Sequence, residues 1–123
     1  MRLLLDTHAL IWWDEGAGLR PAAERAIRDA DQVYVSAVSG WEVTIKASLG
    51  HLRTKRAVAD AVAQSGFEEL PVRLHHAAAV AQLPWHHRDP FDRMLAAQAL
   101  VEGLTVVTRN RAFRPYGVKV LGA

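Results

Sequence analysis

Arg2–Gly16 reads RLLLDTHALIWWDEG. Three leucines follow one arginine, and then an aspartate stops the apolar run. A run this short and this apolar reads as a strand buried on both faces, of the kind found in parallel sheets. The segment after Asp6, from His8 to Gly16, reads as a short helix that ends at the glycine. A buried strand leading through one polar residue into a helix is the opening of a βα unit, and the rest of the chain repeats that alternation.

Pro21–Asp31 predicts a helix with proline near its start, and Gln32–Val35 (QVYV) a second strand. Ser36–Leu49 predicts a helix closed by Gly50, and Lys55–Gln64 another closed near Gly66. FEELPV offers a weak edge strand, demoted by Pro71. His75–Leu83 and Phe91–Glu102 predict two further helices, the second stopped by Gly103. LTVVT and VKVL supply the last strands. Short strands alternating with helices imply an α/β fold, a central, mostly parallel sheet of about five strands with helices on both faces. The chain has 123 residues, and a single domain over 1–123 is expected. Such a domain buries roughly two thirds of its unfolded surface.

Composition narrows the chemistry. There is no cysteine, so disulfides, thiolate metal sites and cysteine nucleophiles are excluded, and a reducing cytoplasm is the expected location. The apolar start is too short to span a membrane and lacks a small-residue cleavage site. Net charge is +2, but Arg109, Arg111, Arg114 and Lys119 give the last stretch a basic character with no acid among them. That suits a polyanion, and equally a solvated surface. No glycine-rich nucleotide loop is present.

In a parallel sheet, sites lie beyond the carboxyl ends of the strands. Asp6 follows the first strand. Glu42 lies in the helix after the second. Asp89 and Asp92 open the helix that leads into LTVVT, and Thr108 and Asn110 follow that strand. Each acid has a local explanation. Asp6 and Asp89 fit helix caps, Asp92 suits a first turn, and Glu42 fits either a Ser39–Glu42 capping box or an i,i+4 pair with Lys46. Together they fall at one end of one sheet, where like charges repel unless a cation neutralises them. Without cysteine, carboxylates point to a hard ion, Mg²⁺ or Mn²⁺, and to metal-assisted phosphodiester hydrolysis.

Four motifs in order carry a resemblance over almost the whole chain: LLLDTHALIWW, VSAVSGWEVTIKASLG, DPFDRMLAAQAL and LTVVTRNRAFRPYGVKVL. The chain resembles a PIN domain, most closely a VapC-type ribonuclease toxin of a toxin–antitoxin pair. The resemblance implies a three-layer α/β/α fold and an Mg²⁺- or Mn²⁺-dependent endoribonuclease. Single-stranded or loop regions of tRNA, rRNA or mRNA would be cut by water attack, leaving 5′-phosphate and 3′-hydroxyl ends. Asp6, Glu42 and Asp92 would be the catalytic metal ligands, with Asp89, Asn110, Thr7 and Thr108 in support. The implied partners are a VapB-type antitoxin, a second copy of the chain as a homodimer, and operator DNA reached only through the antitoxin. One departure stands out: the family often has an acid where Asn110 stands. This puts a second metal in doubt.

Other residues carry two readings. Arg109, Arg111 and Arg114 suit RNA phosphates. Trp12, Trp13, Trp41 and Trp85 suit base stacking, but more often core or interface. Trp12 and Trp13 are adjacent, so burial of one predicts exposure of the other. His8, His86 and His87 are conceivable general bases, whereas His75 and His76 read as helix-start residues. Two alternatives to the nuclease stand: a catalytically weakened PIN-fold module that binds RNA or antitoxin, and a receiver-like signalling domain. The receiver requires an acidic pair after the first strand and a lysine after the last, and neither is present.

Overall fold

A computed structural model describes residues 1–85 and 88–123. Its sheet has five strands: β1 (Arg2–Leu5), β2 (Gln32–Ser36), β3 (Glu68–Leu70), β4 (Thr105–Thr108) and β5 (Val120–Gly122). All neighbours pair in parallel, in the order β3-β2-β1-β4-β5. The expected mostly parallel sheet is therefore wholly parallel, and the weak strand at FEELPV lies at an edge, where Pro71 is tolerated.

Leu3, Leu4 and Leu5 are each 0% exposed. Alternation along the strand sends Leu4 to one face, with Leu95, Ala96, Val106 and Phe113. Leu3 and Leu5 go to the other, with Ala9, Leu10, Val33, Val35 and Val107. Among the described residues, six α-helices cover these faces: α1 (Thr7–Glu15), α2 (Pro21–Asp29), α3 (Ala37–Ser48), α4 (Val58–Ser65), α5 (Leu74–Ala81) and α6 (Pro90–Glu102). A 3-10 segment over Arg111–Tyr116, unforeseen in the sequence, joins β4 to β5. Among the described residues no helix is long and apolar enough to cross a membrane.

Three strand ends matter for the site. Asp6, Ser36 and Thr108 sit at the carboxyl ends of β1, β2 and β4. The chain winds from β1 outward to β3 on one side and from β4 to β5 on the other, so the order reverses between β1 and β4. Parallel α/β sheets open a crevice at such a point. The order also differs from the 2-1-3-4-5 winding of receiver-type sheets, which removes the signalling alternative.

Candidate active site

Asp6 serves two purposes at the end of β1. Its Oδ1 accepts the Ala9 N–H at 2.8 Å and so caps α1. Its Oδ2 accepts the Thr108 hydroxyl from β4 at 2.5 Å, across the switch point. The residue is 8% exposed. Burial pushes its carboxyl above the ordinary aspartate range, against the pull of the Thr108 and Ala9 hydrogen bonds, and the nearby Glu42 charge adds to the rise.

Glu42 comes from α3. The capping-box reading of Ser39 and Glu42 is overturned: the helix begins three residues earlier, with Ser36 as its cap accepting the Val38 N–H at 3.0 Å. Glu42 therefore lies in the second turn, on the buried face. Its Oε1 accepts the Thr7 hydroxyl at 2.6 Å, and its Oε2 pairs with Lys46 Nζ at 2.6 Å, the expected i,i+4 pair.

Asp89 and Asp92 divide their work. Asp89 Oδ1 accepts the N–H groups of Phe91 at 2.9 Å and Asp92 at 3.2 Å, capping α6 with Pro90 in its first position. Asp92 accepts Asn110 Nδ2 at 3.0 Å. The Asn110 side-chain oxygen caps the 3-10 segment through Ala112 N–H at 2.9 Å, so its amide nitrogen faces Asp92. Asn110 N–H also donates to Thr108 Oγ1 at 2.9 Å. Asn110 thus meets Asp92 as a donor, because its oxygen is engaged as a cap.

These bonds link the expected acids and their supporters. Asp6 connects through Thr108 and Asn110 to Asp92. Glu42 connects to Thr7, the residue next to Asp6, and to Lys46, whose charge also feels Asp89 and Asp92. The donor set is all oxygen, the chemistry that hard divalent ions take. Among the described residues, Ser39 Oγ is the buried side-chain atom without a hydrogen-bond partner. It lies one turn before Glu42 on the same helix face. An acidic, oxygen-rich site with an unmatched hydroxyl beside it fits Mg²⁺ or Mn²⁺.

Proximity alone selects a different cluster. Among the described residues, the three candidate ligand atoms within 4.8 Å of one another belong to His75, His76 and Glu102. The buried His76 ring rules this group out as a metal site. Its Nδ1 accepts the Arg73 N–H at 3.0 Å, so Nε2 carries the proton, donating to Glu102 at 2.8 Å. A nitrogen holding its proton has no lone pair for a metal.

Other candidates fall elsewhere. Arg109 stacks on Trp12 at 4.0 Å and donates to the backbone carbonyls of Ala123 and Gly18. Arg109, Arg111 and Arg114 are all exposed, but the Arg109 guanidinium is already engaged within the fold. Trp12 and Trp13 are both half-buried against one core cluster, so the expected contrast between them is absent. Trp41 and Trp85 are exposed, 61% and 79%, and line an apolar groove with Val38, Phe91 and Met94. His8 is exposed and tilts against Trp12; His86 and His87 lie outside the described residues. Sequence reasoning missed Arg93, which is buried. It donates to the carbonyls of Pro84 at 2.8 Å and Val80 at 3.0 Å, tying α6 to the end of α5. A lone arginine one residue after Asp92 carried no signal of this.

The class that fold and site define is confirmed by comparison: residues 3–119 match the PIN domain family, and the chain belongs to it. It is homologous to ribonuclease VapC22 of Mycobacterium tuberculosis, 31% identical over 93% of this chain and 91% of that protein. Among solved structures, VapBC2 from Rickettsia felis, bound to a DNA fragment from its promoter, superposes with a TM-score of 0.70. That match is 15% identical and covers 98% of each chain. FitAcB from Neisseria gonorrhoeae gives a TM-score of 0.67 at 25% identity, covering 98% of this chain and 96% of that one.

Proposed function

We propose that this chain is an Mg²⁺- or Mn²⁺-dependent endoribonuclease, the toxin of a VapBC-type pair, acting on single-stranded or loop RNA. The observation that carries the reading is Asp6. It is a buried carboxylate at the β1–β4 switch point, with Glu42 acting on it and Asp92 linked to it through Thr108 and Asn110. Homology to VapC22 supports the ribonuclease class.

Asp6, Glu42 and Asp92 would hold the ion. When bound, it supplies an activated water and neutralises charge on a phosphodiester. The chain's own groups set the geometry. Thr108 and the Ala9 N–H fix both Asp6 oxygens, Thr7 orients Glu42, and Asn110 orients Asp92. The Asp89 cap fixes the turn that presents Asp92. Arg111 and Arg114, both exposed, would meet RNA phosphates. The exposed Trp41–Trp85 groove suits a protein surface, in keeping with the expected antitoxin and homodimer contacts, and operator DNA is reached through the antitoxin.

The test is cleavage of RNA by the purified chain with Mg²⁺, with Mn²⁺ and with chelator, followed by sequencing of the new ends. Metal-dependent ends at a defined site, lost in Asp6→Asn, are expected. Wild-type cleavage by Asp6→Asn would overturn the assignment. Antitoxin binding without cleavage under any metal would instead favour the catalytically weakened module.

A further inference from the structure

α3 carries a cation into the acidic site. Lys46 follows Glu42 by one turn, and its Nζ lies 2.6 Å from Glu42 Oε2 with the side chain 37% exposed. The carboxylates of Asp89 and Asp92, on α6, also act on its charge. The ammonium is thus paired with Glu42 and feels the charges of Asp89 and Asp92. The acids themselves are not drawn tightly together: no three of their oxygens fall within the 4.8 Å that gathers His75, His76 and Glu102. A lysine ammonium has three donors and no acceptor. It can neutralise Glu42, but it cannot ligate a metal, and it repels a divalent ion at close range.

We propose that Lys46 is a resident counter-cation of the site, paired with Glu42 while the site is empty of metal and displaced from Glu42 Oε2 when a divalent ion binds. This rests on the metal reading of the acids. It gives the clustered carboxylates a partner in the metal-free protein. It also makes divalent affinity weaker than the acids alone would give, because each binding event exchanges one cation for another.

The experiment is Mn²⁺ binding measured by calorimetry on the RNA-free chain, comparing wild type with Lys46→Gln, Lys46→Arg and Asp92→Asn. Lys46→Gln keeps a donor for Glu42 and removes the charge. Its dissociation constant should fall by about tenfold, the scale of repulsion between a unit charge and a divalent ion a few ångströms apart in a water-like medium. Lys46→Arg should stay near wild type, and Asp92→Asn should bind more weakly. Equal or weaker binding by Lys46→Gln, with wild type binding well, would overturn the role of Lys46 and leave the metal site standing. If neither wild type nor Lys46→Gln binds Mn²⁺, the metal reading falls and the proposal with it. Should Lys46→Gln fail to fold, an Mg²⁺ titration of the wild type followed by NMR decides. The Lys46 side-chain resonances should move as the ion binds, and their indifference would overturn the proposal.

Discussion

The two ends of α6 present acids in opposite settings. At its first turn Asp92 joins Asp6 and Glu42, three carboxylates served by hydroxyls, an amide and one lysine. At its last turn Glu102 is a single carboxylate facing two imidazoles, one of them locked in the donor tautomer. The second group is the more compact, yet it is the first that suits a divalent ion. Ligand potential follows surplus negative charge and available lone pairs, and distance alone misleads. A satisfied polar cluster orders a core; an acidic one with too few cations invites an ion.

The largest expected difference is catalytic. Asp92→Asn should reduce metal-dependent RNA cleavage by about a hundredfold or more, since several kcal/mol of charge stabilisation is at stake. Glu102→Gln should leave cleavage near wild type. Equal losses in a gel-based assay would erase the distinction between the two ends.

A smaller effect separates the two aspartates at the same end. Asp89→Ala should lower unfolding free energy by about 1 kcal/mol, the usual worth of a helix cap, and remove only part of the activity. Asp92→Asn should do the reverse, with activity lost and stability kept. Denaturant titration of both variants beside the cleavage assay shows whether the roles are exchanged.

The smallest effect is in pH dependence, and its sign differs between the ends. Burial raises the Asp6 pKa. Its contribution to stability is therefore complete in acid, below the ordinary aspartate value, and is lost as pH rises through the raised one. The His76 hydrogen bond lowers the Glu102 pKa. Its contribution is present above the ordinary glutamate value and is lost as pH falls through the lowered one. Without divalent ions, Asp6→Asn should raise the melting temperature at neutral pH and do less in acid. Glu102→Gln should lower it at neutral pH and do less in acid. Melting curves across pH with matching signs for the two variants would contradict this contrast.

Much of this was legible in the sequence because the signals are local. RLLL followed by Asp6 announces a buried strand and a residue at its carboxyl end. Asp89-Pro90 announces a cap, and the three-residue step to Asp92 places a second acid in the first turn. Where local signals compete, the sequence misleads. VSAVSGWE holds two serines three residues apart; the helix start expected at Ser36 holds, while the competing Ser39–Glu42 capping box does not form. Long-range partners left no trace at all. Arg109 is engaged by Gly18 and Ala123, and the Asn110 amide donates to Asp92 across 18 residues of sequence. The His76–Glu102 bond spans 26 residues of sequence, so nothing in the HH pair of α5 could reveal it.

The central claim is that the acids at the carboxyl end of β1, and not the His75–His76–Glu102 group, form the divalent-ion site. It is tested most directly by melting wild type, Asp6→Asn and Glu102→Gln against rising Mn²⁺. Wild type and Glu102→Gln should gain stability together as the ion binds the folded state, while Asp6→Asn gains little. A full gain in Asp6→Asn, or its loss in Glu102→Gln, would contradict the account.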